Sequence, residues 1–177
     1  MDILSHGLWG GVAFGRKNRR NFFVASFFGL APDLFSFGIF MMASLFGISD
    51  SPEWSAGPPD PKLIPQYVYQ LYNVTHSLII FAVVFVIASI WTRKLYWIMG
   101  GWGIHIVFDI FTHSEQFFPT PFLYPTSSYY FNGHNWGTPE IFIPNVLALV
   151  AVYAYWRYTL KKKKESTVPP TESPENR

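Results

Sequence analysis

WGIHIVFDIFTHS, residues 102–114, decides how the rest of the chain is read. It is an apolar run carrying His105, Asp109 and His113, one at every fourth residue. On an α-helix that spacing stacks the three side chains on one face. Their neighbours are Trp, Ile, Val and Phe, so the face lies in apolar surroundings. A carboxylate and two imidazoles are costly there unless they pair with one another or hold a cation. Two readings fit: a metal site inside a membrane helix bundle, or two histidines hydrogen-bonded to an aspartate.

Composition points to the membrane. The chain has 177 residues, 50% hydrophobic and 20% aromatic, with only 14% charged. A soluble domain carries about 25% charged residues. There is no cysteine, which excludes disulfides and thiolate zinc sites. No dinucleotide-binding, P-loop or EF-hand pattern occurs. Asp2 near the N-terminus, and basic residues after the first apolar run, argue against a cleavable signal peptide.

Outward from 102–114, apolar runs at 22–46, 77–92, 95–111 and 141–158 read as long spans bounded by charge. Pro32 and Asp33 interrupt the first. Residues 3–15 are also apolar, but a helix there is only about 20 Å long, too short to cross upright. The Pro-rich stretch 47–72 and the aromatic stretch 114–140 read as loops. Crossing in sequence puts Arg16, Lys17, Arg19, Arg20, Arg93, Lys94, Arg157 and Lys161 to Lys164 on one side, the positive-inside pattern. The expectation is an all-α, polytopic membrane helix bundle: four long spans plus a short N-terminal apolar helix. Residues 1–160 form the membrane-embedded domain, and 161–177 a basic, disordered cytoplasmic tail. The protein then sits in the cell (inner or plasma) membrane, with its C-terminus cytoplasmic and its long loops outside.

With that topology His6, Asp33, His76, His105, Asp109 and His113 all reach the outer half of one bundle. Imidazole and carboxylate are the usual N/O ligands of zinc and similar cations. Pro32 frees a carbonyl one turn back, where local unwinding makes room for a ligand. His76 has a simpler reading as part of a helix start capped by Thr75 or Asn73. His134, in FNGHNWG, reads as structural or substrate-facing, and Glu115 as a loop charge.

Ser5-His6-Gly7, Pro32-Asp33, Thr75-His76-Ser77 and His105-x3-Asp109 together resemble the membrane-bound metal-dependent hydrolases of the YdjM-like family, over roughly residues 1–125. That family commonly shows Pro-Asp-x-Asp, where this chain has Pro32-Asp33-Leu34-Phe35. The order of ligand-type residues is also similar to the zinc-dependent phospholipase C and P1 nuclease group. That likeness implies one metal held by Asp33, His76, His105 and Asp109, with Asp109 bridging to a second near His6. His113 would match a ligand of a further metal, but His134 and Glu140 lack the spacing of its remaining partners. The implied cofactor is a divalent metal, zinc by preference, as one or two ions. The implied reaction is phosphoester hydrolysis, with Asp33 and Asp109 as catalytic residues and a membrane lipid or lipid-linked molecule as substrate. The aromatic loop at 117–136 would serve as its lid.

The alternatives differ in class. A non-enzymatic membrane protein would use the same groups as a hydrogen-bond network fixing helix packing. A proton or metal-ion transporter would need ionisable residues in the inner halves of the spans, where none is found. A lipid phosphatase of the acid phosphatase type would need Lys and Arg clamps at the site, and the basic residues lie at the other end. Nucleic-acid binding has no support, since Lys161 to Lys164 read as an anchor beside anionic lipid.

Overall fold

The computed structural model describes residues 1–49 and 61–166. Regular structure among them is helical, apart from one isolated β-bridge between Ser114 and Phe117. In chain order the helices are α1 (Ile3–Phe14), α2 (Arg19–Asp33), α3 (Ile39–Leu45), α4 (Gln66–Thr75), α5 (Leu78–Thr92), α6 (Gly100–Thr112) and α7 (Pro139–Ser166). Asp2, Asn18 and Ser77 cap the starts of α1, α2 and α5, each accepting from the backbone N–H three residues on. A π-helical turn, Leu34–Gly38, joins α2 to α3 directly after Pro32 and Asp33. The proline therefore loosens this helix without breaking it.

Among the described residues two helices are long and apolar enough to cross a membrane: Arg19–Leu45, which runs from α2 through α3, and α7. A third exists only if α4 and α5 count as one span, bent by 56° between them. The expectation of four long spans is therefore corrected. Run 95–111 fails because Leu95 to Met99 are apolar but form the connector and 3-10 turn entering α6. Apolarity marks what is buried or lipid-facing; it does not fix helix length.

The loop expected over 47–72 also needs correcting at its end, since α4 begins at Gln66. Ile64, Val68 and Tyr72 recur every fourth residue and pack with Phe40 and Phe118 in a small core. The Pro-rich composition just upstream masks that period. Residues 50–60 of the expected loop lie outside the described residues. At the other end of the chain α7 continues through Lys161 to Lys164 as far as Ser166. The rest of the expected tail, 167–177, is also outside the described residues.

The bundle centre is α1, α2 and α6. α1 and α2 form a tight antiparallel hairpin, and α6 lies parallel to α2. Glycine makes this possible. A Cβ at Gly101 would stand 2.3 Å from Ala25 O, one at Gly29 2.4 Å from His6 O, and one at Gly10 2.7 Å from Ala25 O. Close approach through small residues is how helices gain packing contact where lipid removes the hydrophobic drive. α7 docks on α1 by polar contacts: Asn145 donates to Ser5 Oγ, Trp9 Nε1–H donates to Asn145 Oδ1, and Tyr153 donates to Leu8 O. Outward faces are apolar, with Phe23, Ile90, Trp91 and Leu147 all exposed.

Gly101→Ala should overpack this three-helix contact and lower stability by about 1–3 kcal/mol. Gly38→Ala, with nothing nearer than 3.6 Å, should be neutral or stabilising by about 0.5–1 kcal/mol. Thermal unfolding of both variants in one detergent checks this, and a Gly101→Ala protein as stable as wild type would contradict close packing at this layer.

Candidate metal centre

The register of α2 on α6 advances in fours. Ala25 meets Gly101, Gly29 meets His105, and Asp33 meets Asp109. α1 crosses in the opposite sense, so Gly10 lies in the small-residue layer and His6 stacks on His105 with ring centroids 3.6 Å apart. His76 enters from the side, at the bend between α4 and α5, with its ring stacked 3.8 Å from that of Tyr72. His113 follows the last residue of α6. All six residues singled out in the sequence thus come together. His6, His76, His105 and Asp109 have no exposed surface, His113 is buried, and only the Asp33 side chain shows 15%.

Four of them form a cage able to hold a metal ion: Asp33, His76, His105 and Asp109. His76 Nε2 lies 3.0 Å from His105 Nε2, 3.5 Å from Asp33 Oδ1 and 3.5 Å from Asp109 Oδ2. His105 Nε2 lies 3.1 Å from Asp109 Oδ2 and 3.8 Å from Asp33 Oδ1. Ligands about 2.0–2.1 Å from a tetrahedral zinc are separated by roughly 3.3–3.4 Å. The five separations bracket that value.

The outer nitrogens show which way the lone pairs face. His105 Nδ1 lies 2.7 Å from Gly29 O, and a carbonyl only accepts, so Nδ1 carries the proton. His76 Nδ1 donates to Tyr72 O at 3.2 Å and to Thr75 Oγ1 at 3.0 Å, the threonine giving its own proton to Leu71 O. In the neutral rings both Nε2 lone pairs then point at each other and at two carboxylates. Asp109 Oδ2 and His6 Nδ1 have no hydrogen-bond partner. With both rings neutral, this is a buried set of acceptors facing acceptors beside two carboxylates, an arrangement that a divalent cation would neutralise.

The second oxygen of Asp109 gathers a further group. His6 Nε2 is 2.9 Å from Oδ1, His113 Nε2 is 3.4 Å from it, and the Met1 α-amino group touches it. His113 Nδ1 is held by Phe118 O at 2.9 Å and by Tyr72 Oη at 3.1 Å, which again turns Nε2 inward. Asp109 therefore faces two clusters through its two oxygens.

Sequence reasoning missed three contributors. Tyr72 braces both His76 and His113, and lies one turn before His76, a signal hidden while α4 passed for loop. The Gly29 carbonyl leaves no trace in side-chain chemistry. Thr75 reads from the sequence as a cap and as part of Thr75-His76-Ser77, and the structure adds that its hydroxyl orients His76. Ser77, not Thr75 or Asn73, caps α5. His134, Glu115 and Glu140 are exposed and outside the cluster. No family model, curated protein or solved structure matches the chain.

Protein purified without chelators should carry about one or two equivalents of divalent metal, and Asp109→Ala should carry none. Elemental analysis reads both. Folded wild-type protein that holds no metal and does not take up added zinc would leave a hydrogen-bond network instead. Tyr72→Phe removes the hydroxyl beside His113 and keeps the carbonyl that holds His76, so it should keep the fold and the cage ion and weaken a second zinc at His6 and His113 roughly 10- to 100-fold in chelator competition.

Proposed function

We propose that this protein is a membrane-embedded hydrolase dependent on one or two divalent cations, with zinc favoured by the N/O donor set. Its substrate is a phosphoester or lipid-type molecule. The observation that carries this reading is the uneven burial of the cage. Three of its residues are sealed, and Asp33 alone has exposed surface, where it lines a groove. Structural zinc sites are closed on all sides, whereas catalytic ones keep an approach for substrate.

A cation in the cage lowers the pKa of a bound water toward about 7 and polarises the substrate oxygen. Asp33 is the general base, because its carboxylate faces the groove and takes a proton there. Asp109 holds the two clusters together through its two oxygens, and His6 and His113 supply donors for a second cation. The Gly29 and Tyr72 carbonyls fix the rings of His105 and His76, so that both present Nε2. The glycine and alanine layer beneath keeps water from the far side of the bundle. The basic connectors lie at the opposite helix ends from the site, which supports an outer-face site with a cytoplasmic C-terminus.

The transporter alternative loses ground for the same reason. Backbones of Gly10, Ala25, Gly29 and Gly101 meet directly below the cage, a close contact that a transport pathway would have to open. The network alternative draws on the 2.9 Å approach of His6 to Asp109, and it calls for no metal. The resemblance to membrane-bound metal-dependent hydrolases adds support, because the residues carrying it are the ones that meet.

Asp33→Asn keeps an oxygen donor and removes the base. It should retain metal while hydrolysis of an activated phosphodiester falls roughly 10²- to 10⁴-fold. Full activity in that variant would remove Asp33 from the mechanism, and full activity in Asp109→Ala would end the metal-dependent mechanism.

A further inference from the structure

We propose that the groove beside the cage takes the single apolar chain of an amphiphilic substrate whose oxygen-rich anionic head rests at the cage. This inference rests on the cage being a hydrolytic metal site and names the substrate class for it. The groove has a volume of about 270 Å³. Asp2, Asp33 and His113 form its polar part with Met1 beside them, the Asp2 carboxylate being taken up by the Ser5 N–H and hydroxyl, while Ile3, Phe37, Met41 and Trp136 are apolar wall.

Asp33, Phe37 and Met41 follow one another every fourth residue. The wall therefore runs along one face of the span for about 12 Å beyond the carboxylate. Met41 is 61% exposed, and Ile39, Met42 and Leu45 around it are exposed as well. The groove thus opens along its side onto the apolar exterior of Arg19–Leu45, which is where a lipid-borne chain would enter. Its volume holds roughly nine groups of about 30 Å³ each, which suits one alkyl chain. A sugar or nucleotide would set its hydroxyls against this wall without partners, at a cost for each.

The opposite wall is fixed to the same helix as the cage. Gly133 N–H donates to His113 O, His134 N–H to Phe111 O and Trp136 N–H to Thr112 O. These bonds satisfy the carbonyls left free at the end of α6. A Cβ at Gly133 would stand 2.4 Å from Phe111 O, so the close approach requires glycine. Trp136 is held relative to His105 and Asp109 by backbone alone, and chain and head are read in one rigid frame.

The test is calorimetric titration of the zinc-loaded full chain in detergent with methyl-, butyl- and octylphosphonate, corrected by titration into detergent alone. Affinity should rise by up to roughly fourfold per methylene and level off near the chain length that fills the groove. Met41→Trp should keep its zinc and its methylphosphonate affinity but lose the gain with chain length. Trp136→Ala should weaken octylphosphonate at least tenfold and leave methylphosphonate unchanged. If methylphosphonate does not bind zinc-loaded protein, the hydrolytic metal site itself is overturned. If it binds, but octylphosphonate gains nothing beyond detergent partition or both variants keep the full gain, the groove assignment is overturned and the metal site stands.

Discussion

The structure depends on satisfying one carboxylate. Asp109 is wholly buried, and each of its oxygens faces imidazole nitrogens, His105 and His113 one turn away along α6 and His6 and His76 from other parts of the chain. Leaving such a charge unpaired in an apolar interior costs several kcal/mol. Every element that reaches it is thereby pinned: α1 through His6, the α4–α5 bend through His76, and the end of α6 through His113. If the charge is met by a cation, cation binding and folding are one equilibrium, since no preformed site survives in the unfolded chain. The glycine layer is the other half of that arrangement. The rings of His6 and His105 stack at 3.6 Å only because Gly29 lets the backbone of α1 approach.

These two features divide the bundle along its length. Below the site the helices touch by backbone and small side chains, with the Ser26 hydroxyl buried among them. At the site the same helices present imidazole and carboxylate, with Pro32 and the π-helical turn adjusting where Asp33 and Phe37 face. A π-turn inserted into an α-helix shifts the register of the residues beyond it and is a common way to aim a functional side chain. α5 and α7 contribute little to this centre. α5 carries no buried residue, and α7 attaches chiefly through Asn145 and Tyr153. Their exposed apolar faces suit contact with lipid.

Much of the site was legible because its chemistry follows helical spacing. His105, Asp109 and His113 announce one face, and sorting helix ends by basic connectors brings His6, Asp33 and His76 to the same end. Only the alternation of chain direction is needed for that sorting. It survives the finding that α6 and α1 are short and that α5 alone is no full span. The illegible parts depend on features with no period or composition of their own. α4 begins right after a proline-rich stretch, so its Ile64, Val68 and Tyr72 period was read as loop. The carbonyls of Gly29 and Tyr72 orient two histidines, and backbone groups leave no mark in the pattern of side chains. The helix lengths were overestimated because residues 95–99 are as apolar as a span yet form a turn.

The fold also shows what stands at position 35, next but one to Asp33. Phe35 lies two residues past Asp33, hence on the far side of the helix from the cage, and it is half exposed on the apolar exterior. A carboxylate there would face away from His76, His105 and Asp109 and would add no ligand to their cage. In this chain the place is taken by an aromatic ring suited to lipid contact. The four-residue cage therefore needs no acid at position 35. Phe35 also extends the apolar surface of Arg19–Leu45 through the level of the site itself, and so lowers the cost of placing this helix in a bilayer, where a carboxylate at that position would add a desolvation penalty with no cation to offset it.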